Sequence, residues 1–425
     1  GLAWFNFLTE TGKNITAYSD YIEAAEESLE KGLYEQAIEY FKDSLKYNNS
    51  KNTYHRIKDT YDLLYQEENT AFIRNCYIED MEEAVKEYPK DAEFWFAIAN
   101  LHMDTNNYTS AYKTVERALN YGASSKELDE LYKELLYMVK LDYKLYYDFK
   151  TALNGYISVF DGSRWMVLDG KGNPITSYYY ELIGLINDEG KGFYVNEIDT
   201  RFLDHKQVPR ARFDVDIEDA GYYSERSGYA PVKIDGKWRY VNLAGEFLDG
   251  EYEYAGSFYH HKAAVKQDGK WFIIDDNGNK VSQKTYEDIK LDLYGSYIQC
   301  GIVIAKENDK YHLYDTDFNK IGDFECDDID ICIDDNLIAF EKDGKWGFVD
   351  KKGKVVVEPR FAKAKSFSNK MAAVCNEDGL WGYINRNYEL VINYEFLDAF
   401  YFNSDETSIV STGENTYQLL HFMFD

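Results

Sequence analysis

The side chains that could carry catalysis or bind metal ions are carboxylates, histidines and cysteines, and none recurs at the spacing of a known site. The seven histidines show no H-E-x-x-H or other zinc spacing. His260 and His261, as neighbours in a strand, would point to opposite faces. Five cysteines without a C-x-x-C pair exclude a disulfide framework and a cysteine-based zinc site. We also find no G-x-S-x-G motif, phosphate-binding glycine loop or dinucleotide fingerprint, and therefore expect no catalytic residue, no metal and no cofactor.

Two acidic segments need an interpretation of their own. Residues 275–279, DDNGN, resemble a calcium loop, but the acidic residue of the twelfth position is missing and their place matches a hairpin turn. Residues 327–335 alternate acidic and apolar side chains, which predicts a half-buried strand. Cys326 and Cys332 would lie too far apart along that strand to form a disulfide. No pair of carboxylates stands out as a glycosidase acid and base.

Composition excludes several classes of protein. The chain has 425 residues, of which 45% are hydrophobic, so a mostly disordered protein is excluded. Aromatic residues make up 17%, which is easier to place in β-hairpins than in a helical bundle. The formal net charge of -29 disfavours nucleic acid as a partner, because nucleic acid requires a basic surface.

The start of the chain bears on localisation. It begins GLAWFNFL without an initiator Met, and no run of about 18 apolar residues follows. We expect either a chain cut downstream of an export signal or anchoring helix, or a native terminus preceded by an added Gly. The first alternative implies a cell-envelope or exported protein, and the second is compatible with the cytoplasm.

Residues 18–140 show helical periodicity and an internal repeat. Two segments place small residues at the same intervals: Ala25, Ala37 and Ser44 in the first, and Ala99, Ala111 and Ala118 in the second. Small side chains at such positions let two antiparallel helices approach closely, while aromatic residues fill the gaps between them. The pattern resembles the tetratricopeptide repeat, with room for a degenerate middle copy and a capping helix over 124–148.

That resemblance implies a helical domain over residues 1–150 with a concave groove lined by the first helix of each pair. In the better copy, the groove residues are Phe96, Asn100, Met103 and Asp104. Such grooves generally hold peptides or partner proteins. Since no Lys or Arg is among these four residues, capture of a C-terminal carboxylate is not expected.

From residue 151 a second repeat takes over. A turn followed by an aromatic residue recurs about every 35 residues, giving about eight units; the turn is Asp-Gly in most of them and Asn-Asp before Tyr311. The ring positions are Trp165, Trp238, Trp271, Tyr311, Trp346, Trp381 and Tyr417. Asp-Gly between alternating apolar runs predicts a hairpin, so each unit is a β-meander whose rings pack between neighbouring units.

These units resemble the WG-repeat (KWG) family of bacterial proteins. Trp346-Gly347 and Trp381-Gly382 keep both signature residues, whereas Arg239 and Phe272 replace the glycine in two other units. The family is regarded as interaction or surface modules of undefined ligand. We expect an all-β domain over 151–425, arranged as a propeller-like ring or, alternatively, as an open solenoid of hairpins.

The sequence thus predicts a non-enzymatic scaffold that binds a protein or peptide. The alternative is binding of carbohydrate or cell-wall polymer through exposed rings, for which the candidates are Tyr178, Tyr179, Tyr180, Tyr222 and Tyr223. The oligomeric state and the identity of the partner do not follow from the sequence.

Overall fold

The computed structural model describes residues 1–150, 155–175, 180–186, 192–195 (of 193–195 the backbone only), 200–203, 209–334 and 336–424. The chain divides into a helical unit, Gly1–Met138 with Phe424, and a β unit, Val139–Met423. The helices are α1 (Leu2–Glu30), α2 (Tyr34–Leu45), α3 (Lys51–Glu67), α4 (Ala71–Glu87), α5 (Ala92–Asp104), α6 (Tyr108–Asn120) and α7 (Lys126–Leu136).

The small residues singled out in the sequence lie at helix–helix contacts. Ala37, Ala99, Ala111 and Ala118 are fully buried in one core that the helices share. Polar caps set several helix starts, as at Thr70, whose Oγ1 accepts a hydrogen bond from a backbone N–H of the first turn of α4 at 3.2 Å. This spacing accounts for the tetratricopeptide-like pairing of α1 with α2 and of α5 with α6, and α3 also contacts α4.

The first helix of the middle copy fits the repeat pattern badly in sequence, but α3 is a full helix in which Tyr54, Ile57 and Leu64 bury one face. The helix expected over 124–148 is too long. Helix α7 ends at Leu136, and strand β1 (Val139–Leu141) follows almost immediately.

The β unit contains eight small antiparallel sheets among its described residues. In chain order they comprise β2 (Asp148–Phe149), β3 (Tyr156–Phe160) and β4 (Trp165–Asp169); β5 (Leu182–Ile186), β6 (Gly192–Val195), β7 (Thr200–Leu203) and β8 (Pro209–Phe213); β9 (Asp219–Ala220), β10 (Ala230–Ile234) and β11 (Lys237–Val241); β12 (Tyr254–Ala255), β13 (Lys262–Gln267) and β14 (Lys270–Asp275); β15 (Asp288–Ile289), β16 (Ile298–Gln299), β17 (Ile302–Glu307), β18 (Lys310–Tyr314) and β19 (Lys320–Cys326); β20 (Asp328–Ile329), β21 (Ile338–Lys342), β22 (Lys345–Val349) and β23 (Val355–Phe361); β24 (Lys363–Ala364), β25 (Ala372–Cys375), β26 (Trp381–Ile384) and β27 (Leu390–Phe396); and β28 (Asp398–Ala399), β29 (Thr407–Gly413) and β30 (Thr416–Phe422) with β1.

The predicted hairpin turns are confirmed. Both residues of Asp235–Gly236, Asp268–Gly269 and Asp343–Gly344 have positive φ, which a tight turn between two right-twisted strands requires. Each Asp-Gly turn joins the two central strands of its meander, as β21 and β22 are joined in the sixth sheet. The aromatic residue therefore stands near the start of the strand that follows the turn.

The array of sheets closes on itself. Strand β1, the first of the unit, pairs with β30, the last, with Val139 opposite Phe422 and Leu141 opposite Leu420. Buried apolar clusters lie between consecutive sheets, and one of them joins Ile157 of the first sheet to Ile409 of the eighth. The β unit is therefore propeller-like, and the open solenoid of hairpins is not formed.

The glycine of the Trp-Gly pair allows the outermost strand to approach. A Cβ at Gly347 would lie 2.3 Å from the carbonyl oxygen of Val357, and one at Gly382 would lie 2.4 Å from that of Ile392. Strands β23 and β27 pair with β22 and β26 on both sides of these glycines, and the register shifts at each glycine. Where Arg239 replaces the glycine, the outer pairing consists of isolated bridges, whereas β19 pairs with β18 although His312 stands in the corresponding place.

Two strand predictions are wrong. Of the described residues 327–334, only β20 (Asp328–Ile329) is a strand; the chain then leaves the sheet in a loop that buries Ile331 and Ile333. His260 and His261 do not lie in a strand. They form the turn before β13, and both have positive φ.

Candidate functional site

The four predicted groove residues share one face of helix α5. Counted from Phe96, the other three residues follow after about one, two and slightly more than two helical turns, so the four side chains lie along one side of the helix. Asn100 and Asp104 are exposed, while Phe96 and Met103 are half-buried against the helical core. Asp91 caps the start of the helix, because its carboxylate accepts a hydrogen bond from a backbone N–H of the first turn at 3.1 Å.

A histidine fixes this end of α5 to α3. His55 Nε2 lies 2.7 Å from Asp91 Oδ2, and Nδ1 lies 2.8 Å from Glu93 Oε2. The imidazole also packs on the ring of Phe94, with 4.5 Å between the ring centres. Because both nitrogens face carboxylates, the ring holds α3 and α5 in a fixed relation, which gives the α5 face a rigid base.

The electrostatics of the α5 face are neutral to acidic. Burial lowers the pKa of His102, which sits on the same helix, so this residue is neutral at pH 7. Asp104 contributes an exposed carboxylate, and no Lys or Arg is among the four groove residues.

The ring positions lie in separate sheets and do not form a common site. The buried ones are Trp165, Trp238, Trp271, Tyr311 and Trp381. Trp346 and Tyr417 are half-buried. The rings at 165, 238, 271 and 311 each belong to an apolar cluster that joins their own sheet to the next one along the chain.

A polar cluster joins the inner strands of the last three sheets. Lys365 Nζ lies 4.1 Å from the centre of the Trp381 ring and 2.7 Å from Asp398 Oδ1. Burial lowers the pKa of Lys365, although Asp398 opposes this. Tyr401 donates its hydroxyl to Asp330 at 2.6 Å, and burial together with that carboxylate raises the pKa of the phenol. Because each charged group in this cluster has a partner, we interpret the cluster as a structural link between sheets.

The β unit contains a disulfide that was not predicted from the sequence. Cys300 and Cys332 are bonded, and they come from equivalent loops of the fifth and sixth sheets. A single disulfide is not a framework, so the exclusion of a framework holds, but nothing predicted this bond. The available signal was the separation of 32 residues, close to one repeat. Beside the disulfide lies a cavity of about 280 Å³ that Asp292, Tyr294 and Gln299 help to line.

The segment that resembles a calcium loop is a turn. Asp275 Oδ1 accepts the backbone N–H groups of Asn277 and Asn279 at 3.0 and 2.9 Å. Asp315 and Asp350 make the same pair of bonds in other sheets, so this is a repeated turn device. No group of three or more His, Cys, Asp and Glu placed to hold a metal ion occurs among the residues that the structure describes.

The tyrosines predicted as stacking surfaces for carbohydrate differ in how far they are exposed to solvent. Tyr180 and Tyr223 are buried and offer no exposed face. Tyr222 is half-buried, and its ring is inclined by 60° to that of Tyr294. Tyr178 and Tyr179 lie outside the described residues. Of the five candidate rings, the three that the structure describes do not form an exposed coplanar pair with one another.

Comparison with known proteins identifies the β repeats. Residues 217–238, 240–271, 346–380 and 381–415 match the family described as "WG containing repeat". The last two segments contain Trp346-Gly347 and Trp381-Gly382. No curated protein matches the chain.

Solved structures resemble parts of the chain at low sequence identity. The C-terminal WD40 domain of Sif2 is 8% identical with a TM-score of 0.38, over 66% of this chain and 98% of that one. The MamA protein is 20% identical with a TM-score of 0.21, over 25% and 54%. The Sgt2 TPR domain from Aspergillus fumigatus is 14% identical with a TM-score of 0.22, over 27% and 74%.

Tetratricopeptide-like helices and a propeller-like array of repeats are architectures typical of protein-interaction scaffolds. Scaffolds of this kind are typically non-catalytic.

Proposed function

We propose that this protein, which carries WG repeats behind tetratricopeptide-like helices, is a non-enzymatic scaffold that binds a protein or peptide on the α5 face. The observation that supports the proposal is the composition of this face. Phe96 and Met103 offer apolar surface beside the exposed polar groups of Asn100 and Asp104. Half-buried apolar side chains next to polar groups that fix orientation are the usual elements of a peptide-binding surface.

The partner segment that we propose is apolar with basic or uncharged polar residues. An acidic segment would meet Asp104 and a chain of net charge -29, which repels it. The same argument disfavours a C-terminal carboxylate, for which an Arg or Lys would be needed.

The test introduces positive charge at the two exposed residues of the α5 face in the full chain. The double substitution Asn100→Arg and Asp104→Arg leaves the helical core intact, because both side chains are exposed. A matched control is Glu116→Arg on α6, which is also exposed. We expect capture of the partner from an extract of the source cells to fall at least about tenfold with the double variant and to stay unchanged with the control.

A photo-crosslinking amino acid identifies the partner itself. Placed at Asn100 it should form an adduct with one protein, whereas placed at Lys113, exposed on α6, it should not. Equal adducts from both positions, or capture that survives the double variant, would show that the partner binds elsewhere. Binding of the purified chain to immobilised cell-wall polysaccharide would instead support the carbohydrate alternative.

We further propose that the scaffold is displayed at the bacterial cell envelope. The support comes from the apolar beginning of helix α1, where Trp4 and Phe5 are exposed. Among the described helices, none is both long and apolar enough to cross a membrane.

A further inference from the structure

A cavity of about 250 Å³ lies between the fourth and fifth sheets of the β unit. Its apolar wall is formed by Ile273 of β14, by Val281 of the segment that follows β14, and by Phe318 of the fifth sheet. Pockets that hold larger organic ligands usually measure about 300–1,000 Å³. We therefore expect a small ligand, of the size of a single six-membered ring with one polar substituent.

Phe318 builds its part of the wall from a turn position at which the neighbouring sheets have glycine. It has a φ of 62°, and Gly278 and Gly353 hold the equivalent place with φ values of 83° and 87°. A bulky residue rarely adopts a positive φ. The Phe318 ring stacks on those of Tyr286 and Tyr297, with 4.8 and 6.0 Å between ring centres. This packing holds Phe318 in its costly conformation and gives the cavity an aromatic wall.

The hydroxyl of Tyr297 makes no hydrogen bond to any residue that the structure describes. Tyr297 lines the cavity although only 1% of its surface is accessible. The fully enclosed side-chain polar atoms without a partner, within the described ranges, are Ser158 Oγ and Arg239 Nε. The Tyr297 oxygen is not among them, so it reaches open space, and that space is the cavity. Burial raises the pKa of this phenol to about 12, so it keeps its proton at neutral pH and can donate into the cavity.

Two further lining residues offer hydrogen-bond donors. The ammonium of Lys262 and the hydroxyl of Thr316 make no side-chain hydrogen bond or ion pair with the part of the chain that the structure describes. Lys284 also lines the cavity, but it is paired with Glu307 at 3.1 Å, so Lys262 supplies the uncompensated positive charge. An ammonium has three donors and no acceptor. This lining therefore suits a ligand that accepts hydrogen bonds and is negatively charged.

The apolar wall selects among anions. A strongly hydrated anion such as phosphate would lose water against Val281 and Phe318 without gaining hydrogen bonds there, whereas an anion with an apolar body would bury that body. Asp317 is the acidic residue of the lining and opposes any anion. It is exposed in the turn before β19, where solvent screens its charge.

We propose that the cavity between the fourth and fifth sheets binds a small carboxylate that is attached to an apolar ring. The carboxylate is bound by Lys262 and Tyr297, and the ring packs against Phe318 and Val281. This binding site goes beyond the scaffold function proposed above, and it shares no residue with the α5 face.

The experiment is saturation-transfer NMR on the full chain with benzoate as the probe, a method that detects the weak binding expected of so small a molecule. Against the native Kd, we expect Lys262→Met to bind at least about fivefold more weakly and Tyr297→Phe at least about threefold more weakly. Asp317→Asn should bind about twofold more tightly, because it removes a repulsive charge. The matched control is Lys270→Met, which lies exposed on β14 outside the cavity lining and should leave the Kd unchanged.

Two further probes separate the charge from the ring. Benzyl alcohol keeps the ring without the charge, and inorganic phosphate keeps a charge without the ring. Each should bind at least about tenfold more weakly than benzoate.

A structural role for Tyr297 is distinguished by thermal melting at pH 7. Because its hydroxyl has no partner among the described residues, Tyr297→Phe should melt at the native temperature, and a lower temperature would contradict the assignment of the hydroxyl to a ligand. The proposal is overturned if benzoate does not bind, if Lys262→Met binds it as the native chain does, or if Asp317→Asn binds it more weakly. Equal binding of benzyl alcohol or phosphate overturns it as well.

Discussion

The ammonium group of Lys365 donates to the carboxylate of Asp398 at 2.7 Å and so links the inner strands of two consecutive sheets. The same lysine lies over the ring of Trp381. The arrangement recurs where Lys290 lies over Tyr311 and pairs with Asp328 of the next sheet at 3.4 Å. The repeat rings thus also make cation–π contacts with lysines that connect neighbouring sheets.

Removing either partner of this ion pair should have unequal effects. Asp398→Ala leaves the ammonium of Lys365 in a largely buried position with only the carbonyl of Ala399 as acceptor, at 2.6 Å. We expect a loss of about 1–3 kcal/mol in the free energy of unfolding. Lys365→Met removes the charge and keeps the stem over the ring, and should cost less than about 1 kcal/mol. Urea unfolding followed by tryptophan fluorescence measures both. Equal losses of unfolding free energy in the two variants would mean that the cost of leaving a buried, unpaired ammonium is not what makes Asp398→Ala destabilising.

Gly347 should tolerate no side chain. The added Cβ of Gly347→Ala would meet the carbonyl of Val357 at 2.3 Å, and backbone cannot move aside as a flexible side chain can. We expect the variant to lose about 2–3 kcal/mol of stability through overpacking. The control is Gly12→Ala in helix α1, where no atom lies within 4 Å of the new Cβ and a small gain is expected. A neutral effect at Gly347 would contradict the explanation given for the Trp-Gly pair.

Reduction of the disulfide should destabilise the β unit. Cys300 and Cys332 are 32 residues apart, and closing a loop of that length is worth about 3–4 kcal/mol in the chain-entropy account. A thermal melt in excess dithiothreitol should therefore start at a lower temperature. The variant Cys300→Ser should melt like the reduced chain and show no response to the reductant. If the native chain is unaffected by reduction, the bond does not constrain the unfolded state.

Alkaline pH should destabilise both units through buried phenols. Burial raises the pKa of Tyr297 to about 12, and burial with nearby Glu87 raises that of Tyr54 to about 12. A raised pKa in the folded state means that the contribution to stability is complete below pH about 10 and is lost as pH rises toward 12. Absorbance at alkaline pH should show these phenols ionising late. Tyr297→Phe should flatten the decline in stability between these limits, whereas a variant at an exposed phenol, Tyr143→Phe, should leave it unchanged.

Local patterns made much of the fold predictable. Asp343-Gly344 specifies its turn within four residues, and the spacing of Ala37 and Ala111 specifies helix contacts within one repeat. What depends on neighbouring repeats was not predictable. The bond between Cys300 and Cys332 needs two loops of adjacent sheets, and no cysteine count reveals it.

The sequence predicted which residues share the α5 face, but not the contacts that hold this face in place. The positions of Phe96 and Asn100 follow from helical periodicity, but the clamp of His55 on two carboxylates does not, because it joins different helices. The exposure of Trp4 and Phe5 was equally hidden. Apolar residues at helical spacing look the same in a sequence whether they are buried in a core or exposed.

The strand that closes the ring gives the last prediction. Fragments 139–425 and 151–425 differ by β1 and β2, so comparing them measures what these strands contribute. Strand β1 supplies the outer edge of the eighth sheet through its pairing with β30, and Tyr146, which precedes β2, is buried between the first and eighth sheets. We expect the longer fragment to melt cooperatively and the shorter one to melt at a lower temperature and to bind a dye for exposed apolar surface. Identical melting of the two would mean that the ring is stable without its closing strand.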